Sequence, residues 1–241
     1  MNAIEIRELS KNYGKTCAVS SLSLNVKDGE LFSLLGVNGA GKTTTIKMLS
    51  CLTKPTSGDA FLLGKSIVTQ EDDVKKIIAV SPQESAVAPN LSARENLELM
   101  AGVHGFSKDQ TRAKIEELSF TFGLSEILSK KSKTLSGGWK RRLSIAMALI
   151  CEPKILFLDE PTLGLDVLAR AELWDIIRAL KGKITIILTT HYMEEAEALS
   201  DNIAIMKNGK LIAAGTVEEL KQRSGFDKFE DAFIALVKEA K

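Results

Sequence analysis

Three short runs of the sequence combine residue types that suit the handling of phosphate. Gly36 is followed, after four residues, by Gly41, Lys42 and Thr43, the spacing of a phosphate-binding loop. In such a loop the glycines let main-chain amides approach an anion, the lysine reaches the outer phosphates, and the hydroxyl offers a ligand to magnesium. Asn38, Gly39, Ala40 and Thr44 belong to the same run and are expected to bind the same anion. Downstream, the apolar residues 155–158 deliver two consecutive carboxylates, Asp159 and Glu160. At the carboxyl end of a buried strand such a pair fits a division of labour: Asp159 holds the magnesium shell and Glu160 polarises attacking water as general base. The third run is Leu135, Ser136, Gly137 and Gly138. Ser136 can cap the helix that follows, and the glycines bare its first amides, making a second phosphate receptor. Two receptors for one ligand point to a dimer, in which the Lys42 loop of one subunit and the Ser136 segment of the other close on the same nucleotide.

These groups need a scaffold. Apolar and polar residues alternate over 3–9 and 22–26, which predicts half-buried strands near the amino terminus. Residues 31–37 form a short apolar run that leads into glycine-rich sequence and then a helix-forming stretch at 42–49. Further buried strands are expected at 77–80, 155–158 and 184–188 with helical sequence between them, the pattern of a mainly parallel sheet with helices on both faces. Between residues 89 and 150 the strand signal gives way to helical patterns at 93–103, 108–122 and 139–150, an all-helical insertion. Asn208 and Gly209 mark a hairpin, and a last helix carries Phe229, Phe233 and Leu236 on one face, as a core stripe does. The expected organisation is one nucleotide-binding domain over 1–225, with the helical subdomain inserted at about 84–150, and a short helical tail at 226–241.

The chain has 241 residues, enough for one substantial core, and 32 basic against 31 acidic side chains leave a net charge of +1. That balance argues against nucleic acid as a partner. The clusters Lys130, Lys131, Lys133 and Lys140, Arg141, Arg142 are expected to be solvated helix faces. Cys17, Cys51 and Cys151 show no paired spacing, which predicts a reduced, cytosolic protein without structural zinc. The amino terminus has no apolar stretch of signal-peptide length, and no segment approaches the roughly 20 apolar residues that span a bilayer. Any membrane role must therefore be supplied by another chain.

Taken in order, these runs resemble those of the nucleotide-binding subunit of ATP-binding cassette (ABC) transporters, and the resemblance covers nearly the whole chain. It implies an α/β P-loop NTPase fold with a mainly parallel central sheet, an antiparallel β portion near the N-terminus and an inserted α-helical subdomain. It also implies ATP as substrate, with Mg2+. By position, Tyr13 matches the aromatic residue that stacks on adenine, and Gln83 the glutamine linking magnesium to the helical subdomain. Leu135 to Gly138 match the family signature, and Gly164, Leu165 and Asp166 the loop that crosses the dimer interface. His191 matches the histidine that contacts the γ-phosphate. The resemblance thus assigns catalysis to Glu160, His191, Lys42 and Gln83, and magnesium to Thr43, Gln83 and Asp159. Implied partners are a second copy of the chain and a separate transmembrane permease, with the protein peripheral on the cytoplasmic face of the membrane. One position departs from the pattern: Trp139 stands where the family usually has glutamine, and an indole has one donor and no acceptor. Residues 89–97, 191–197 and 229–233 are similar to those of ATPases in the drug-resistance and ABC-2 exporter branch, which implies export.

Two other readings share the phosphate loop. One is a soluble ABC-type ATPase serving a non-transport assembly such as iron-sulfur cluster construction. The other is a regulatory GTP switch, which would need an Asn-Lys-x-Asp element to read guanine, and no such run occurs.

Overall fold

A computed structural model describes residues 1–239; the last two residues of the expected tail lie outside the described residues. The strands are β1 (Asn2–Tyr13), β2 (Thr16–Lys27), β3 (Leu31–Leu35), β4 (Ser57–Leu62), β5 (Lys65–Ser66), β6 (Ile78–Ser81), β7 (Ile155–Asp159), β8 (Thr185–Thr190), β9 (Asn202–Lys207) and β10 (Lys210–Gly215). The helices are α1 (Lys42–Leu49), α2 (Glu71–Lys75), α3 (Ala93–Val103), α4 (Lys108–Phe122), α5 (Gly137–Leu149), α6 (Val167–Leu180), α7 (Met193–Leu199), α8 (Val217–Ser224) and α9 (Phe229–Glu239).

The strands form two sheets. An antiparallel sheet has the order β2-β1-β4-β5. The central sheet has the order β10-β9-β3-β8-β7-β6, parallel except for the β9–β10 hairpin. This arrangement matches the expected fold class. β1 and β2 run further than the alternation at 3–9 and 22–26 suggested, because the register shifts several times along the pair and Glu8 and Ser21 adopt positive φ. Each such irregularity breaks the period of two on which the sequence pattern depends. The short strands β4 and β5 had no such signal; β4 opens with Ser57, Gly58 and Asp59, poor strand formers, and is held by pairing with β1.

Period-two alternation in the central strands sorts side chains between two cores. Leu31, Leu156, Leu158, Ile186 and Leu188 face a cluster completed by α3, α4, α5 and α6. Phe32, Leu34, Ile155, Phe157 and Ile187 face another, completed by α1 and the antiparallel sheet. The helical segment is thus bonded to the sheet through one continuous apolar layer. Ser92 and Ser107 start α3 and α4 with reciprocal capping boxes to Glu95 and Gln110, and Gly123 closes α4 in the left-handed conformation. The carboxyl-terminal stripe is buried as expected, with Phe229, Phe233 and Leu236 packed on β9 and β10 side chains in a third cluster.

Phe122 is fully buried in the layer that joins the helical segment to the sheet. Phe122→Ala is expected to lower unfolding stability by about 3–5 kcal/mol, the range for such truncations, as measured by urea denaturation. A loss below about 1 kcal/mol would show that the layer does not hold the segment.

Candidate functional site

The strand order decides the site. β3, β8, β7 and β6 are consecutive neighbours in the central sheet, and each ends, at the same edge, in a segment with candidate residues. Past β3 lie the Gly36–Thr44 loop and α1, past β8 comes His191, β7 ends on Asp159 with Glu160 next, and past β6 comes Gln83. Carboxyl ends of parallel strands are where such sheets bind ligands.

The loop after β3 is shaped by two close approaches. A side chain at Gly36 would bring its Cβ to 2.4 Å from the Met206 carbonyl oxygen. At Gly41, where φ is +101°, a Cβ would meet the Ala18 carbonyl oxygen at 2.6 Å. The loop therefore packs directly against the neighbouring backbone at both glycines. Asn38, Gly39, Ala40, Gly41, Lys42, Thr43 and Thr44 all line one cavity of about 550 Å³. Tyr13, Gln83, Glu160 and His191 line it too. Gly36 lies beneath the loop, and Asp159 is buried behind Thr43.

Lys42 is buried, and its ammonium donates to the carbonyls of Gly36 at 2.7 Å and Val37 at 3.4 Å and lies 3.2 Å from Glu160 Oε1. The other carboxylate oxygen of Glu160 is 2.6 Å from His191 Nδ1. The side chains of Lys42, Glu160 and His191 thus form one line across the strand ends. Glu160 has φ of +48°, unusual for a residue with a side chain. Its amide donates to both the carbonyl and the hydroxyl of Thr189, which hold it there. Backbone strain of about 1–3 kcal/mol kept at one residue is a mark of functional sites. Asp159 accepts from Thr43 Oγ1 at 3.1 Å and Thr189 Oγ1 at 2.5 Å.

Ser136, Gly137 and Gly138 are not among the residues lining this cavity. Ser136 caps α5, its hydroxyl accepting from the Trp139 amide, as its position predicts. A Cβ at Gly138 would come within 3.2 Å of Ala169 Cβ, and one at Gly137 within 3.9 Å of Leu165, so this segment lies against the start of α6. Asp166 caps α6 through the Ala169 amide. Trp139 packs partly into the core, with the Arg142 guanidinium over its ring.

Arg141 overturns an expectation. The run Lys140, Arg141, Arg142 reads as a solvated face, yet Arg141 is only 4% exposed and donates to the carbonyls of Pro82, Gln83 and Glu160. Burial lowers its pKa, and the fields of Asp159 and Glu195 push it back. Helical spacing carried the signal: Arg141 shares a face with the buried Ser144, Ile145 and Ala148. Glu195 is also buried behind the site; burial holds its carboxyl above the ordinary range, while its hydrogen-bond donors, Trp174 Nε1 among them, pull the other way. Thr16, Cys17, Ala18 and Leu163 line the cavity without having been singled out, since nothing in their types marks them.

The model of the family described as "ABC transporter" matches residues 19–163. The chain belongs to the ABC transporter family. It is 44% identical to the daunorubicin/doxorubicin resistance ATP-binding protein DrrA of Streptomyces peucetius, over 92% of this chain and 68% of that one. A solved ATP-binding subunit of an ABC transporter superposes with a TM-score of 0.86 at 30% identity, covering 97% of this chain and 99% of that one. The cbiO1 protein of Clostridium perfringens, part of the ABC transporter complex cbiONQ, superposes with a TM-score of 0.82 at 27% identity, over 92% and 95% of the two chains. The chain is thus an ATP-binding, ATP-hydrolysing subunit of an ABC transporter that works with a separate membrane permease. The iron-sulfur reading gains no support from these relatives. Among the described residues no helix is long and apolar enough to cross a membrane.

Gly41→Ala should weaken ATP binding at least tenfold, because the added methyl must displace the Ala18 carbonyl and distort the loop amides. Isothermal titration with ATP measures it. Affinity within twofold of the wild type would mean that the loop geometry does not govern binding.

Proposed function

We propose that the subunit powers export, binding Mg·ATP in the cavity beside Lys42 and closing with a second copy of itself on the cytoplasmic face of the membrane, with no nucleic-acid partner. The observation that carries this reading is the line Lys42–Glu160–His191 at the shared edge of β3, β7 and β8. In this reading residues 1–225 are the nucleotide-binding domain, residues 84–150 the helical subdomain that meets the permease, and 226–241 the tail. Export is supported by the likeness to a protein named for daunorubicin and doxorubicin resistance.

Mg2+ fits the donors present. The Thr43 hydroxyl, the Asp159 carboxylate and the Gln83 amide oxygen are hard oxygen ligands, and Thr43 and Asp159 are already within hydrogen-bond distance of one another. Among the described residues there is no cluster of three or more His, Cys, Asp or Glu fit to hold a metal. Thr43 and Asp159 suit an ion that is held by one or two protein ligands together with substrate phosphates. When bound, the ion neutralises charge on the β- and γ-phosphates.

The protein's own groups do the rest. The loop amides of 38–44 and the start of α1 bind the phosphates, and Lys42 places its ammonium on the outer ones. Glu160 orients water and accepts its proton as the water oxygen attacks the γ-phosphorus and the β–γ bridging oxygen leaves on ADP. His191 fixes the carboxylate through Nδ1, so Nε2 is the nitrogen that faces phosphate. Tyr13, half exposed at the cavity mouth with Lys11 Nζ 5.1 Å from its ring centroid, offers a face to adenine. Ser136, Gly137 and Gly138, set apart from this cavity, receive the γ-phosphate bound by the partner subunit.

Glu160→Gln keeps the shape of the base and removes its basicity, so ATP and Mg2+ should still bind while hydrolysis falls at least a hundredfold. The variant should then accumulate as an ATP-dependent dimer on size exclusion, and adding Ser136→Arg should abolish that dimer with ATP affinity retained. Rapid hydrolysis by Glu160→Gln would remove the residue from its role, and a dimer indifferent to Ser136→Arg would contradict the composite site.

A further inference from the structure

Arg141 is a cation where cations are costly, and its partners are unusual. One nitrogen of the fork, Nη1, donates to the Pro82 carbonyl at 2.6 Å. The other, Nη2, donates to the Gln83 carbonyl and, at 3.5 Å, to that of Glu160. All three acceptors are main-chain oxygens on the segments that follow β6 and β7. All its hydrogen bonds therefore fix backbones, while the carboxylates of Asp159 and Glu195 act on it through their fields. A planar fork can hold separate acceptors in a set geometry, as a lysine ammonium on its flexible stem cannot.

The position of Arg141 on its helix gives those bonds a direction. α5 is capped by Ser136, and Arg141 lies little more than a turn further on. A helix turn is stiff, so a displacement at the amino end of α5 reaches the guanidinium nearly undiminished. Glu160 is the residue within its reach that is held in a strained conformation: its φ is positive, its amide donates to the carbonyl and hydroxyl of Thr189, and its carbonyl accepts from the Leu163 amide at 3.2 Å and from Arg141 Nη2 at 3.5 Å.

We infer that Arg141 is a positioning residue that couples the Ser136 receptor to Gln83 and Glu160, so that engagement of Ser136 by the partner's nucleotide sets the orientation of the water-polarising carboxylate. This rests on the roles proposed above for Ser136 and Glu160. It adds a mechanical link, within one chain, between the site that chain offers its partner and the site where it does its own chemistry.

The test compares Arg141→Lys, which keeps the charge without the fork, and Arg141→Gln, which keeps a donor without the charge. Turnover is expressed per ATP-binding site, so that any unfolded fraction drops out. Both variants should bind ATP within about threefold of the wild type and show an unchanged KM, while kcat falls about 10–100-fold, the scale on which a small misplacement of a catalytic group acts. Arg141→Lys should not rescue kcat to the wild-type level. Wild-type kcat per site in either variant would overturn the inference, and so would a parallel loss of ATP affinity and kcat, the mark of a merely structural residue. Glu160→Gln assayed alongside separates the two layers. Its retaining activity would sink the base assignment, whereas an inactive Glu160→Gln beside a fully active Arg141→Lys would leave the base standing and remove the coupling.

Discussion

A lysine ammonium and a glutamate carboxylate, both almost wholly buried and 3.2 Å apart, lie at the point on which this molecule turns. Burying two charges costs several kcal/mol per ion unless geometry and additional hydrogen bonds compensate, and here the compensation is specific. The carbonyls of Gly36 and Val37 take two of the protons of Lys42, and His191 pairs with the far oxygen of Glu160. Lys42, Glu160 and His191 are far apart in sequence. They meet because β8 lies between β3 and β7 and all three strands run the same way. An anion held by Lys42 is therefore held beside Glu160 by construction.

The grouping of the residues proposed to do chemistry was the most legible part of the sequence, because glycine spacing, a lysine and paired carboxylates at a strand end point to one phosphate site. Lys42, Thr43, Gln83, Glu160 and His191 line one cavity, with Asp159 just behind Thr43. The long helices were equally plain: α3 and α4 occupy the residues that their apolar periodicity marks. Legibility failed where tertiary pairing outweighs local pattern. β4 and β5 exist because β1 offers an edge, and β1 and β2 outrun their own alternation because irregular pairing absorbs the breaks. Arg141 was hidden for a different reason. Charge runs are usually solvated, and only the helical phase of α5 marks Arg141 as the buried residue of the three, with Arg142 largely covered against Trp139.

The segment proposed to receive phosphate from a partner does not line the chain's own cavity. Ser136 and the two glycines behind it open α5 against the start of α6, away from the Lys42 loop. Trp139 follows them, its ring occupied by packing and by Arg142, so the indole is engaged inside the subunit. Ser136 still caps the helix despite the departure from the family's glutamine. In the proposed dimer the chemistry is completed against a partner, and α5 carries both Ser136, at its cap, and Arg141.

The central claim is that the ammonium of Lys42 is what holds the outer phosphates of ATP against Glu160. Calorimetric titration of folded Lys42→Ala with ATP in the presence of magnesium tests it most directly. Tight binding is expected to be lost, with affinity down by at least about a hundredfold, since the cation facing the phosphates is gone. Affinity equal to that of the wild type would contradict it.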